Sequence, residues 1–431
     1  MNSRRTGAKT RSTLAATVAL TLAVTLAAPA MAQVTIRHSH DGEHGPQWRQ
    51  WLEHAKARFE AENPGIKIEL EFQGRAAQTE KLLLTYGTDL FPDVVETFAA
   101  HHYQFMAAGM FADLNRHMAT DPDLSWDQFP PHILGNSTVG GLPGEGRTWL
   151  IPVSIWVNGP TFNDDHFAES ALVPPSRMEH QWTWNDFIDI GRKLVRYNSE
   201  GQVVRWAYRP GDWKVWVHNA GGWIFDRYVD PARVTLNDER VREALRFLQN
   251  VYQTDGLVNP NTDIIRGDAS VWIQTGPNVT RILQGAGVSF EWSYGPNPKS
   301  ARGGAELVVI GLSMSSQTKH PQEAWRWIKF LVAEAARDHI AITGRPAAWS
   351  PVAREYAGLI PDATPWEHVW VELITRPDSY DRPVVHTTVM NAMNAIVRDI
   401  LDGKVPADVA LDAAQDQISA LLEANRFYRD D

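Results

Sequence analysis

Val34, Ile36 and His38 alternate with Thr35 and Arg37, and the apolar period then becomes helical at Trp48, Trp51, Leu52, Ala55 and Phe59. A strand followed by an amphipathic helix is predicted. Asn63-Pro64-Gly65 stops that helix, and Ile66, Ile68, Leu70 and Phe72 alternate cleanly with Lys67, Glu69 and Glu71 as a second strand. A helical stretch around Ala76 to Tyr86 leads through Pro92 into the short apolar strand Asp93-Val94-Val95-Glu96-Thr97, and another helix ends at Gly109. Strands alternating with helices imply a parallel sheet covered on both faces.

Beyond the Gly-rich turn Gly140-Gly141-Leu142-Pro143-Gly144, the apolar run Trp149 to Val157 reads as a passage into a second, largely helical unit. Thr183-Trp184-Asn185-Asp186 has the form of a reciprocal capping arrangement, and Trp184, Phe187, Ile188 and Leu194 mark the buried stripe behind it. Asn237 is the expected N-cap of a helix carrying Val241, Ala244, Leu245, Leu248 and Val251, with Asp255-Gly256 ending it. Pro321 suits the first turn of a helix bearing Trp325, Ile328 and Leu331. The last segment is helical as well, through Met393, Ile396, Val397 and Ile400 and then Leu411, Ile418, Leu421 and Leu422.

The N-terminus changes the picture of where the chain works. Arg4, Arg5, Lys9 and Arg11 precede an apolar run from Leu14 to Ala28 and the sequence Ala30-Met31-Ala32, the pattern of an export signal cleaved after Ala32. Thr6 and Gly7 stand where twin-arginine export wants apolar residues, so ordinary secretion to the periplasm is expected. Removing residues 1–32 moves the formal charge from -10 to about -14, which makes nucleic acid and anionic membrane surfaces poor partners. The chain has no Cys, which excludes disulfides, thiolate zinc sites and a lipid-modified N-terminal Cys. A mature chain of about 399 residues is long enough for two cores.

The order of landmarks resembles the family 1 extracellular solute-binding proteins of carbohydrate ABC importers. Phe59-Glu60-Ala61-Glu62-Asn63-Pro64-Gly65-Ile66-Lys67-Ile68, Pro92-Asp93-Val94-Val95 and Gly109-Met110-Phe111-Ala112-Asp113-Leu114 are similar to that family's early signatures. Asn163-Asp164-Asp165-His166-Phe167, Trp182-Thr183-Trp184-Asn185-Asp186-Phe187, Arg266-Gly267-Asp268-Ala269-Ser270-Val271 and Lys319-His320-Pro321-Gln322-Glu323-Ala324-Trp325 follow in the family's order. The resemblance covers nearly the whole mature chain. It implies an α/β, two-lobed periplasmic-binding-protein fold, each lobe a mostly parallel sheet flanked by helices, joined by a hinge crossed near 148, 301 and 349. The lobes would be 33–147 plus 302–348 and 148–301 plus 349–431. It further implies a monomer that captures a carbohydrate and passes it to membrane permease subunits, with no catalytic residue, no cofactor and no resident metal.

Sugars need flat aromatic faces and a rim of polar groups, and eighteen Trp supply the first. Trp51, Trp184, Trp325 and Trp327 lie in amphipathic helices and are expected in cores. Trp213, Trp216, Trp223, Trp272, Trp292 and Trp349 stand beside Gly, Pro or Asn in apparent loops, where ligand contacts concentrate, with capping of small satellite clusters as the alternative reading. Ligands of open α/β sheets bind off the carboxyl ends of strands, which selects His40, Asp41 and His44, then Gln73, then Thr97 and His101. Asn219, Gly222 and Trp223 are expected from the opposite lobe, where Gly221-Gly222 is either a close backbone approach or a simple turn, with Arg345 as a rim donor beside Trp349. His40 and His44 with Asp41 and Glu43 also form a possible zinc set, though Gly42 and Gly45 disfavour helical spacing. No G-x-S-x-G, H-E-x-x-H, P-loop or G-x-G-x-x-G motif is present. The rival readings are a secreted carbohydrate-active hydrolase, whose paired carboxylates have no fixed spacing, and a binder of a non-sugar solute or metal.

Overall fold

A computed structural model describes residues 33–139, 146–227, 229–254, 256–361 and 363–426. The export signal over residues 1–32, the turn Gly140–Gly144 and Asp255 lie outside the described residues. The first strand, Val34–Asp41, pairs in parallel with Ile66–Gln73 on one side and with Val94–Phe98 on the other. Flanked on both edges and covered by helices, its last four residues are all buried, polar as they are. His40 lies opposite Phe72 and Asp41 opposite Gln73, so these strands end level with each other. On the other edge His38 faces Val94 and Ser39 faces Val95, and continuing that register sets Glu96 beside His40.

Late strands complete this sheet. Glu306–Met314 runs antiparallel to both Val94–Phe98 and Ile151–Val157, and Tyr380–Asp381 pairs with its first two residues. The second sheet has the order Trp292–Tyr294, Gly159–Asn163, Ala269–Thr275, Val203–Arg209, Arg196–Tyr197, and only the Ala269–Thr275 and Val203–Arg209 pair is parallel. Both sheets are therefore mixed: among the described residues, three of the five pairings of the first are parallel, and one of the four of the second.

Val157 and Gly159 stand in different sheets, so the first passage between units lies at residue 158 and not near 148. The apolar run 151–157 is a strand of the first sheet, held there by a partner about 150 positions later in the chain. A second passage falls within 295–305. The third follows Asp381 rather than 349, since Val352, Tyr356, Trp370 and Leu373 are all buried in the first core while Val389, Met393 and Val397 are in the second.

Local signals explain most helices. Thr183 Oγ1 accepts from the Asp186 amide at 3.2 Å and Asp186 Oδ2 from the Thr183 amide at 2.8 Å, the reciprocal cap that starts Trp184–Leu194. The cap of Glu239–Gln253 is Asp238, one residue after the expected Asn237, whose amide oxygen instead accepts from Arg242 at 2.8 Å. Trp213 and Trp216 belong to a helix, Trp213–Asn219, that Asp212 caps, and are buried in the second core. Trp51, Trp184, Trp325 and Trp327 are all buried as their helical spacing requires. No described helix is long and apolar enough to cross a membrane.

Candidate functional site

The level carboxyl ends of the first three strands gather an unusual amount of polar chemistry in one buried place. Glu96 receives two imidazoles: His44 Nε2 lies 2.6 Å from its Oε1, and His40 Nδ1 meets its Oε2. Arg345 Nη1 lies 2.9 Å from His44 Nδ1. Guanidinium only donates, so His44 Nδ1 is the acceptor, and the imidazole hydrogen therefore sits on Nε2 and is donated to Glu96. Asp41, buried at the end of its strand, accepts from the Glu43 amide at 2.9 Å and pairs with Arg75 Nη2 at 2.8 Å.

Burial sets the protonation of this cluster. It pulls His44 down to about 3 and His40 well below its usual range, and it pushes the Glu96 carboxyl well above its own, with Asp41 adding to the push. The Arg345 guanidinium is drawn down to about 10 by the same desolvation. Ligating atoms of Asp41, His44 and Glu96 lie within 4.8 Å of each other, close enough to hold a cation. A metal on His44 Nε2 would have to displace the hydrogen that Arg345 fixes there, and Asp41 is already engaged by Arg75. Glu43 is not in the set, because its Oε1 accepts from the Arg75 amide at 3.0 Å. The cluster as it stands is a proton-sharing, hydrogen-bonded group rather than an open coordination sphere.

This cluster opens into a cleft of about 240 Å³ lined by His44, Arg75, Phe98, His101, Trp156, Val308 to Ile310, Arg345, Asp381 and Arg382. The cleft lies against the passages between the two sheets: Trp156 is two residues before residue 158, and Asp381 and Arg382 open the third passage. A second space of about 130 Å³ adjoins the same 380–383 segment and is lined by Lys214, His218, Gly222, Trp223 and Tyr380 among others. Gly276, just beyond the strand Ala269–Thr275, lies against the Trp156 ring so closely that a β-carbon would fall inside contact distance. Gly276→Ala must therefore displace the ring on which Arg345 rests, and it should lower stability by about 1–3 kcal/mol, read as a shift in urea midpoint at constant slope.

The structure brings together only part of the expected constellation. His44, His101 and Arg345 line the cleft, with Asp41 and His40 directly behind it. Gln73 is half-buried at its strand end, and Gly222 and Trp223 line the smaller space. Thr97 points away, into the sheet, where its hydroxyl meets Ser313 Oγ at 3.0 Å. Asn219 is buried and donates to the Pro298 carbonyl, and Trp213 is a core residue whose Nε1 donates to Asn394. Trp272 lies under Arg209, Trp292 donates to the Tyr294 hydroxyl, and Trp349 donates to Gln128, none of them in either space. Glu96, Arg75, Trp156 and Arg382 were not expected. Glu96 had a signal: side chains alternate along a strand, so if Thr97 faces one side Glu96 faces the other, toward His40.

Comparison with known proteins supplies the family. The description "bacterial extracellular solute-binding protein" matches residues 44–338. A putative ABC transporter periplasmic-binding protein of Escherichia coli, YcjN, is 26% identical over 140 residues, 32% of this chain and 30% of its own length. Among solved structures, the cyclic α-maltosyl-1,6-maltose binding protein from Arthrobacter globiformis is 20% identical, covers 91% of this chain and 99% of its own, and superposes with a TM-score of 0.75. An ABC substrate-binding protein from Listeria monocytogenes in complex with cycloalternan is 19% identical over 91% and 99% of the two chains with a TM-score of 0.74. The sugar-binding protein MalE from Xanthomonas citri, at 17% identity, covers 91% and 98% with a TM-score of 0.75. The fold is the two-lobed one of these structures, and with two thirds of its length matched, the chain belongs to the bacterial extracellular solute-binding protein family.

Proposed function

We propose that the protein captures a sugar or sugar derivative in the cleft between its lobes and delivers it to the membrane permease subunits of an ABC importer, working as a monomer in the periplasm after loss of residues 1–32. The observation that carries this reading is the cleft itself, at the carboxyl ends of the strands of one sheet and against the passages to the other. The ligands named for the structural relatives, cycloalternan and cyclic maltosyl-maltose, support the sugar class. Binding and not catalysis is the proposed activity, with no resident metal or cofactor. Three passages allow the lobes to rotate, and a solute favours closure only by touching both sides. His44, Arg75, His101, Trp156, Arg345 and Arg382 supply the side of the first sheet, and the Trp223 space supplies the side of the second unit.

A thermal-shift screen against carbohydrates tests the reading. A true ligand at 100 times its dissociation constant should stabilise the protein by about 2.7 kcal/mol. Small-angle scattering at saturation should show a more compact particle, and the recovered ligand should be chemically intact. Identical scattering curves would remove closure. Time-dependent cleavage would replace the transport reading with hydrolysis. Chelator treatment should leave the affinity unchanged.

A further inference from the structure

The cleft is rich in donors and poor in acceptors. Sugar hydroxyls are commonly held by carboxylates and amide oxygens, which accept their hydrogens, and by aromatic faces, which cover their C–H surfaces. Here Asp381 is the one carboxylate among the lining residues, and its Oδ1 accepts the Arg382 amide at 2.8 Å. The aromatic faces are occupied by guanidinium groups. Arg345 lies 5.1 Å from the Trp48 ring centroid and 5.0 Å from that of Trp156, and Arg75 lies 4.9 Å from that of Phe98. The rings hold and orient cations rather than presenting open platforms.

The charges of the three lining arginines are not answered alike. Arg75 has Asp41 at 2.8 Å and Arg382 has Glu306 at 2.8 Å, both carboxylates buried behind the cleft wall. Among the described residues, the Arg345 guanidinium has only uncharged groups within hydrogen-bond distance, His44 Nδ1 at 2.9 Å and the His44 carbonyl at 3.4 Å. Of the carboxylates that act on Arg345 from further off, Asp41 is paired with Arg75, and Glu96 lies beyond His44, where burial favours its uncharged form. A half-buried cation of this kind, with little water around it, is better satisfied when an anion completes it. Arg345 lines the cleft, where the planar fork of a guanidinium matches two oxygens of one acidic group.

We infer that the captured solute is acidic: a sugar derivative whose anionic group, carboxylate or phosphate, pairs with Arg345 and is flanked by Arg75 and Arg382. This rests on the solute-binding reading above and narrows its ligand class.

Isothermal titration at neutral pH and low salt, on the purified protein, compares matched probes: D-glucose, D-glucuronate and glucose 6-phosphate, and D-galactose with D-galacturonate. At least one acidic member should bind about tenfold or more tighter than its neutral counterpart, and its affinity should fall as sodium chloride is raised. Preference for the uronates over the phosphate, or the reverse, assigns the acidic group. Arg345→Gln should abolish the preference, the acidic probe losing its advantage over its neutral counterpart, and Arg345→Lys, which keeps the charge but loses the fork, should retain part of it. Should Arg345→Gln not fold, as judged by circular dichroism, the salt dependence of the wild type decides. Neutral sugars binding as tightly as their acids, with no salt dependence, would overturn the acidic inference and leave the sugar reading standing. Neutral and acidic probes alike failing to bind, with a wider carbohydrate screen also negative, would overturn both.

Discussion

Moving the protein from pH 7 to pH 5 should cost it on the order of 4 kcal/mol of stability through two histidines alone. His38 and His102 are fully buried, and burial pulls each down to about 3. The Nδ1 of His38 accepts from Trp327 Nε1 at 3.2 Å, that of His102 from the Phe98 amide at 3.0 Å, and neither Nε2 has a partner among the described residues. In the unfolded chain each takes up a proton near its ordinary value of 6.5, whereas in the folded protein neither does so until about 3. The unfolded state therefore binds more protons across that window, and stability falls as pH drops through it, by about 2 kcal/mol per histidine at pH 5. His40, His44 and His339 act in the same sense. Glu96, Glu367 and Asp164, raised by burial, act in the opposite sense above their ordinary range, against which His101, His117, His132, His166 and His218 are lowered as well. Urea midpoints at pH 7, 6 and 5 measure the slope, and His102→Gln should reduce it by nearly one proton. A midpoint independent of pH over this range would show these side chains to be solvated.

Trp327→Ala should destabilise the protein by about 3–5 kcal/mol, the range for removing a fully packed aromatic side chain. Trp327 has no exposed surface, stacks with Phe330, meets the edge of Phe59 and donates its Nε1 hydrogen to His38. Truncation removes the packing and the donor together. Water entering the cavity should also ease protonation of His38, so the variant's pH slope should be shallower than that of the wild type. The two effects are coupled, and their free energies should not add. Equilibrium unfolding at pH 7 and pH 5 reads both. A loss below about 1 kcal/mol would mean that the helix Pro321–Lys329 repacks around the gap.

What the sequence made legible was local: strand and helix identity, reciprocal caps and helical tryptophans. Period gave the buried face of Trp184 and Trp327, since a helix stripe has to be covered by something. It did not reveal that 151–157 pairs with 306–314, because that pairing is decided by which distant strand is free to receive it. The misplaced passages at 148 and 349 follow from this. The site was legible at strand ends, which selected His40, Asp41 and His44 on topology, and at Arg345 as a rim donor. Arg75 was missed because it starts the helix after Gln73 rather than ending a strand, and Arg382 because its place depends on the short pairing of Tyr380–Asp381 with residues 306–307. Trp213 and Trp292 were drawn in by neighbouring polar or loop-like residues, yet their indole N–H groups find partners inside the protein.

The three passages carry a consequence for how the chain is made. The first core needs residues as late as Val384, and the second needs Val389 to Leu422. A nascent chain of 350 residues therefore holds most of two hydrophobic interiors and the completion of neither. Stable tertiary structure must wait until synthesis is almost finished, and the long-range pairings that close it make that final step slow. Pulse proteolysis of ribosome-bound intermediates should find lengths short of Val384 sensitive throughout, with the second core protected only when the last helix has emerged.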